Sequence, residues 1–172
     1  MNKLTHEELQ ARQQVIEKQS RLPFCLVVNN VRSLYNVGSL FRTADGAGLE
    51  KIWLCGITGI PPAGMISKTA LGAENRVPWE YHRHAKDLLE ALRVKGYTIV
   101  HLEQTRHSIP YQDFCPAAPV CLVVGNEITG VSETLLQPQD IAVEIEMAGL
   151  KNSLNVAVAF GVVAYHIRNQ IR

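Results

Sequence analysis

The four cysteines of this chain, Cys25, Cys55, Cys115 and Cys121, include no CxxC pair. That removes the spacing of zinc ribbons and dithiol redox sites. At least two of the four sit in strand-like apolar runs, so buried free thiols in a reducing, cytoplasmic setting are expected, with no metal. No stretch approaches the eighteen or so consecutive apolar residues of a membrane span. Met1 to Ser20 is too polar for a secretory leader. Charge of one sign is missing as well: the net charge is +1, which provides no broad basic surface. A nucleic-acid partner would have to meet local patches. Lys68, Arg76, Arg83, His84, Arg106, His107 and Lys151 are available for that, though each is equally at home as solvated surface. There is no GxGxxG phosphate cradle, no internal repeat and no low-complexity tract.

What remains is one domain's worth of chain, 172 residues of which 47% are hydrophobic, enough for a sizeable core. Residues 1–21 carry Leu4, Leu9, Val15 and Ile16 among charged and amide residues, with a cap-like start at Thr5-His6-Glu7-Glu8. They read as a helical extension packed on a single domain over 22–172. Apolar runs at Cys25 to Val28, Tyr97 to Leu102 and Val120 to Val124, with alternation through Ile141, Val143 and Ile145, predict strands. Asp87 to Val94 predicts a surface helix, and Gly59 to Gly64 is a Pro/Gly loop. Strands alternating with helices imply an α/β fold, a mostly parallel sheet with helices on both faces.

Three strand ends carry unusually polar loops. The first runs from Asn29 through Asn36 and Arg42 to Gly48, where Val37, Leu40, Phe41 and Ala44 form a helical apolar stripe. Arg42 lies about 140° from Val37 around that helix. Taken alone it is a solvated arginine, of interest only if a second surface covers its face. The second loop, Gly125-Asn126-Glu127-Ile128-Thr129-Gly130, places an amide and a carboxylate at a strand end between glycines suited to close approach or positive φ. A turn with a solvated Glu fits it equally well. The third, Lys151 to Val156, joins a strand to a helix built on Val156, Ala159, Phe160, Val163, Ala164 and Ile167, with Ser153 as the expected N-cap. It reads as a well-capped helix or as a ligand loop, since open α/β sheets bind ligands at strand carboxyl ends.

Together, Asn36-x-Gly38-x3-Arg42-x-Ala44, Val124-Gly125-Asn126-Glu127-x2-Gly130-Val131 and Ile145-x-Met147-x-Gly149-x3-Ser153-Leu154-Asn155-Val156 resemble, in order and spacing, the three motifs of the SpoU (TrmH-type) RNA 2′-O-ribose methyltransferases of the SPOUT superfamily. Lys68-Thr69-Ala70-Leu71-Gly72-Ala73 resembles a further family segment. The resemblance spans about residues 24 to 168 and implies a C-terminal deep trefoil knot, an exception to the rule that connections do not thread. It also implies a homodimer with part of Val156 to Ile167 at the interface.

By the same resemblance the chain transfers a methyl group from S-adenosylmethionine to a ribose 2′-hydroxyl of tRNA or rRNA. The sequence leaves open which of the two. The lack of a large added RNA-binding segment, in what looks close to a minimal catalytic domain, leans towards a tRNA loop. Arg42 would be the central catalytic residue. Arginines normally stay protonated, so binding phosphate or stabilising the forming alkoxide is favoured, while a base role, which needs a strongly perturbed guanidinium, stays open. Asn36 would position substrate or Arg42, Glu127 would pair with Arg42 or fix its loop, and Ser153 and Asn155 would hold the cofactor loop. Backbone groups at Leu102, Gly125, Asn126, Ile145, Met147 and Leu154 would hold the methyl donor. Glu146 departs from the proline usual in the family and is expected to put a carboxylate beside the cofactor cleft; Ala157, often serine in relatives, is a milder change. The alternative is a non-catalytic knotted RNA-binding or scaffold protein. The presence of Asn36, Arg42, Glu127, Ser153 and Asn155 together argues for the enzyme.

Overall fold

A computed structural model describes residues 3–17 and 19–172. Met1, Asn2 and Lys18 of the expected extension lie outside the described residues. The strands are β1 (Leu22–Asn29), β2 (Leu49–Cys55), β3 (Trp79–His82), β4 (Thr98–Leu102), β5 (Ile109–Pro110), β6 (Val120–Val124) and β7 (Ile141–Glu144). The α-helices are α1 (His6–Glu17), α2 (Leu34–Ala47), α3 (Gly64–Ala70), α4 (Ala85–Val94) and α5 (Val156–Ile171). The seven strands form one sheet in the order β3-β2-β1-β6-β4-β7-β5, and every pairing is parallel.

The central strands are apolar on both sides because both sides are covered. In β1, Phe24, Leu26 and Val28 enter one core while Cys25 and Val27 enter the other; in β6, Val120, Leu122 and Val124 oppose Cys121 and Val123 in the same way. The first core is closed by Val37, Leu40, Phe41 and Ala44 of α2, Ile66 and Ala70 of α3, and Phe160, Val163, Ala164 and Ile167 of α5. The second is closed by Ala85, Leu88, Leu89 and Leu92 of α4, which fall on one helical stripe. Cys25, Cys55 and Cys121 are buried free thiols, and burial pushes Cys55 up to about 12. Gly38 is fixed by packing, since any Cβ there would strike the Thr69 hydroxyl and the Ile66 carbonyl. It is what lets α3 lie directly on α2.

Two expectations change. The helix α1 forms and opens with a capping box, the Thr5 N–H donating to Glu8 Oε2 at 2.7 Å and the Glu8 N–H to Thr5 Oγ1 at 3.3 Å. Its Leu9, Val15 and Ile16 are nevertheless exposed rather than packed on the domain. The strand expected to continue through Ile145 ends at Glu144, where pairing with β5 stops and the chain turns into the cleft described next.

Candidate active site

The carboxyl ends of β4, β6 and β7 surround a cleft of about 380 Å³. Leu102, Gly125, Asn126, Ile145, Met147 and Leu154, the positions expected to hold a cofactor, all line it, as do Glu127, Ser153 and Asn155. Its walls mix apolar side chains with exposed backbone. Two carboxylates that sequence reasoning missed, Glu103 and Glu144, also line it. Glu103 directly follows β4, a position open to the same strand-end argument. Glu144 falls on the polar side of the alternation through Ile141, Val143 and Ile145, which by itself marks no site.

The loop after β6 is closed on itself. The Asn126 N–H donates to the Gly130 carbonyl at 3.0 Å, and the Gly130 N–H donates back at 2.9 Å. Asn126 Oδ1 accepts from the Ile128 and Thr129 N–H groups, while its Nδ2 donates to the Asn30 carbonyl at 2.8 Å. A Cβ at Gly125 would collide with the backbone of Gly130 and Val131, so only glycine permits this closure. Glu103 locks the loop to β4: its Oε2 accepts from the Val131 N–H at 2.7 Å.

Glu127 turns out of this loop to cap a helix it does not belong to. Its carboxylate accepts from the Arg32 N–H and the Ser33 N–H, each at 3.0 Å, and from Asn36 Nδ2 at 3.0 Å. Partial burial works against its charge, but these donors prevail and hold the carboxyl below its usual value. It fixes the start of α2 and makes no pair with Arg42 among the described residues. Asn36 in turn accepts, through Oδ1, from Asn155 Nδ2 at 3.0 Å. Asn155, not Ser153, is the N-cap of α5, accepting from the Ala157 N–H at 2.9 Å and the Val158 N–H at 3.4 Å. Asn155 is the better cap because its second amide end can reach Asn36 while its oxygen serves the helix. Ser153 stays exposed, donating weakly to Asn152 Oδ1 at 3.4 Å.

Arg42 is elsewhere. It lies six residues, about 9 Å, along α2 from Asn36, exposed beside a second hollow that Gln13, Asp45, Leu71, Gly72 and Arg76 also line. Asn36 therefore positions Glu127 and Asn155 rather than Arg42. Glu146, expected beside the cleft, is exposed and absent from its lining. Glu144 is there instead, accepting from the Ser108 hydroxyl at 2.6 Å. A further clasp crosses the rim, Gln104 Nε2 donating to the Asn152 carbonyl at 2.6 Å.

An all-parallel sheet with a cleft built from loops at three strand ends, one of them leading into a C-terminal helix, defines a class that comparison specifies. The chain belongs to the SpoU rRNA methylase family, whose model matches residues 23–165. It is 32% identical over 143 residues to the 23S rRNA (guanosine(2553)-2'-O)-methyltransferase RlmP of Bacillus subtilis, an alignment covering 83% of this chain and 57% of that one. Among solved structures it resembles the TrmH/SpoU tRNA modifying enzyme of A. aeolicus, with a TM-score of 0.82, 26% identity, and 95% and 83% of the two chains covered. It also resembles an AdoMet-bound rRNA methyltransferase from Sinorhizobium meliloti, with a TM-score of 0.80, 27% identity, and 87% and 57% covered. The chain spans 57 to 65% of the length of the first curated relatives it matches.

Proposed function

We propose that this protein is an S-adenosylmethionine-dependent RNA methyltransferase acting on a ribose 2′-hydroxyl of tRNA or rRNA, and that it works as a homodimer. The observation that carries the reading is the Glu127–Asn36–Asn155 chain of hydrogen bonds joining the first and third motifs at the mouth of the cleft. A scaffold has no structural need for three polar side chains there in addition to the caps they provide.

The cleft suits the cofactor chemically. S-adenosylmethionine carries a sulfonium and an ammonium, and Glu103 and Glu144 supply negative charge; Leu102, Ile145, Met147 and Leu154 supply apolar walls for an adenine. When bound, the cofactor would supply the methyl, its S–CH3 bond exchanged for an O2′–CH3 bond, with the thioether as leaving group and the hydroxyl proton passing to solvent. The protein's part is to orient the hydroxyl and stabilise charge developing on it. Arg42 is the residue for that stabilisation, and it lies outside its own chain's cleft. We infer that a second copy delivers it. Val158 and Tyr165 on α5 are exposed and apolar, and Gly46 of α2 lies against Tyr165, so one face built of α2 and α5 bears both the apolar surface and Arg42. The C-terminal segment is read as threaded in a deep trefoil knot. The return of α5 from β7, which lies beyond β4, to pack on α2 and β1 supports this. A cytoplasmic location fits the four free thiols, and among the described residues no helix is long and apolar enough to cross a membrane.

The deciding experiment is incorporation of labelled methyl from S-adenosylmethionine into RNA from cells lacking this protein, with the product mapped by alkali-resistant dinucleotides. Label confined to a ribose supports the reading. A folded dimer that binds this RNA and transfers nothing would move the assignment to the non-catalytic alternative.

A further inference from the structure

Beside Asn36 in α2 lies a surface whose residues are outside the lining of the cleft. In register, Tyr81 of β3 pairs with Leu54 of β2, and Leu54 belongs to the core under α2, so Tyr81 stands on the α2 side of the sheet. Its hydroxyl donates to the Gly56 carbonyl at 2.9 Å, pinning the ring by its tip while 43% of the residue stays exposed. Tyr35, adjacent to Asn36 in α2, is 47% exposed, and its carbonyl is held by the Thr69 hydroxyl at 2.9 Å. The loop after β2 touches both elements, its Gly56 accepting from Tyr81 and its Gly59 packed against Leu34, next to Tyr35, and it leaves Ile57 and Ile60 exposed.

That loop is rigid. Thr58 is buried, its hydroxyl donating to the Val28 carbonyl at 3.0 Å and accepting from the Val31 N–H at 3.1 Å; the Ile57 N–H donates to Asn30 Oδ1 at 3.0 Å. Tyr81, its ring pinned by its tip, and Tyr35, exposed on α2, offer aromatic faces beside this fixed loop, and a face held in place loses little entropy on binding. The carboxylate nearest in the chain, Glu80 beside Tyr81, is already paired with Lys51 Nζ at 2.8 Å, and the other charges within three residues of either tyrosine are cationic. Arg32 precedes Tyr35 by three residues, Lys68 adjoins Thr69, and Arg83 follows Tyr81 by two, all exposed. The neighbouring carboxylate, Glu127, is already consumed by N–H donors.

We propose that Tyr35 and Tyr81 form a stacking platform for unpaired RNA nucleotides flanking the one that is methylated, with Arg32, Lys68 and Arg83 tracking their phosphates. Aromatic faces among cations, without a readout of base edges, are the chemistry of single-stranded RNA binding. The platform rests on the RNA reading above, and it favours target nucleotides in loops over those in duplex.

The test measures affinity for a mixed-sequence single-stranded oligoribonucleotide and for an abasic oligomer of the same length, with S-adenosylmethionine affinity and oligomeric state recorded alongside. Tyr35→Leu and Tyr81→Leu should each weaken binding of the base-bearing oligomer by on the order of tenfold. They should leave the abasic oligomer, the cofactor and the dimer unchanged. Tyr81→Phe, which loses the bond to Gly56 and keeps the ring, should bind like the native chain. Unchanged RNA affinity in the double leucine variant overturns the platform while leaving methyl transfer by the native chain intact as a separate result. A change in oligomeric state without a change in RNA affinity marks the surface as a protein contact and also overturns it. Failure of the native chain to bind or methylate any RNA removes the underlying reading itself.

Discussion

The cofactor cleft and the hollow around Arg42 are both built from family-motif residues, yet a single chain completes only one of them. In the cleft, each polar side chain joining two motifs has a partner within the chain: Glu127 with Asn36, Asn36 with Asn155, Glu103 with Val131. In the hollow, Arg42 is exposed, and among the described residues no hydrogen bond or ion pair is recorded for its guanidinium. Satisfied donors and acceptors mean preorganisation, the condition for electrostatic catalysis. An exposed arginine is solvated until a second surface covers it. On the proposed dimeric reading, the difference assigns cofactor binding to the single chain and catalysis to two.

The largest effect should come from breaking the unfinished half. Arg42→Ala is expected to lower methyl transfer by about 10²- to 10³-fold, the scale for loss of one preorganised electrostatic group, with cofactor affinity unchanged. Mixing sharpens the comparison. Arg42→Ala and Asn155→Ala, each inactive as a homodimer, should regain activity when co-expressed as a heterodimer, because one site then holds both native residues. A mixed dimer as inactive as its parents would show that Arg42 acts within its own chain and that the division drawn here is wrong.

A middle effect should come from the finished half. Glu127→Ala removes the acceptor for the Arg32 and Ser33 N–H groups, a loss comparable to a helix cap and on the order of 1 to 2 kcal/mol. Urea unfolding measures it. Because the folded-state carboxyl sits below its ordinary value of 4.5, its contribution is fully present above that value. It is lost as pH falls through the lowered folded value. The native chain should therefore lose stability on acidification below about pH 4.5 more steeply than Glu127→Gln. Parallel acid curves for the two would separate Glu127 from the structure of the cleft.

Much of this was legible in the sequence, for definite reasons. The burial of Val37, Leu40, Phe41 and Ala44, and the two-sided apolar runs of β1 and β6, follow from periodicity because a packed core imposes it directly. The exposure of Arg42 followed from its angle on the helix. What was hidden depends on contacts between residues far apart in the chain. Nothing local says that Glu127 caps α2, 91 residues away from Asn36, or that Asn155 outcompetes Ser153 as a cap because Asn36 waits across the cleft. Glu144 joins the site only where strand ends lie side by side, whereas Glu103, directly after β4, was open to the strand-end argument that singled out the other loops. Leu9, Val15 and Ile16 of α1 show the reverse case, apolar residues expected to pack on the domain that stay exposed among the described residues.

The smallest effect tests the boundary of the cleft itself. The family resemblance implies a proline where Glu146 stands, and with it a carboxylate beside the expected cofactor cleft. The structure turns Glu146 outward, exposed and off the lining, while its neighbours Ile145 and Met147 face in. A Glu146→Pro substitution then acts chiefly through the backbone, restricting the unfolded chain and fixing φ between two lining residues, worth at most about 1 kcal/mol. Cofactor affinity measured by calorimetry should change less than about fivefold, within that limit. A change of a hundredfold would mean that the carboxylate reaches the bound cofactor, and that the cleft closes around its ligand further than its present rim, held by Gln104 and Asn152, allows.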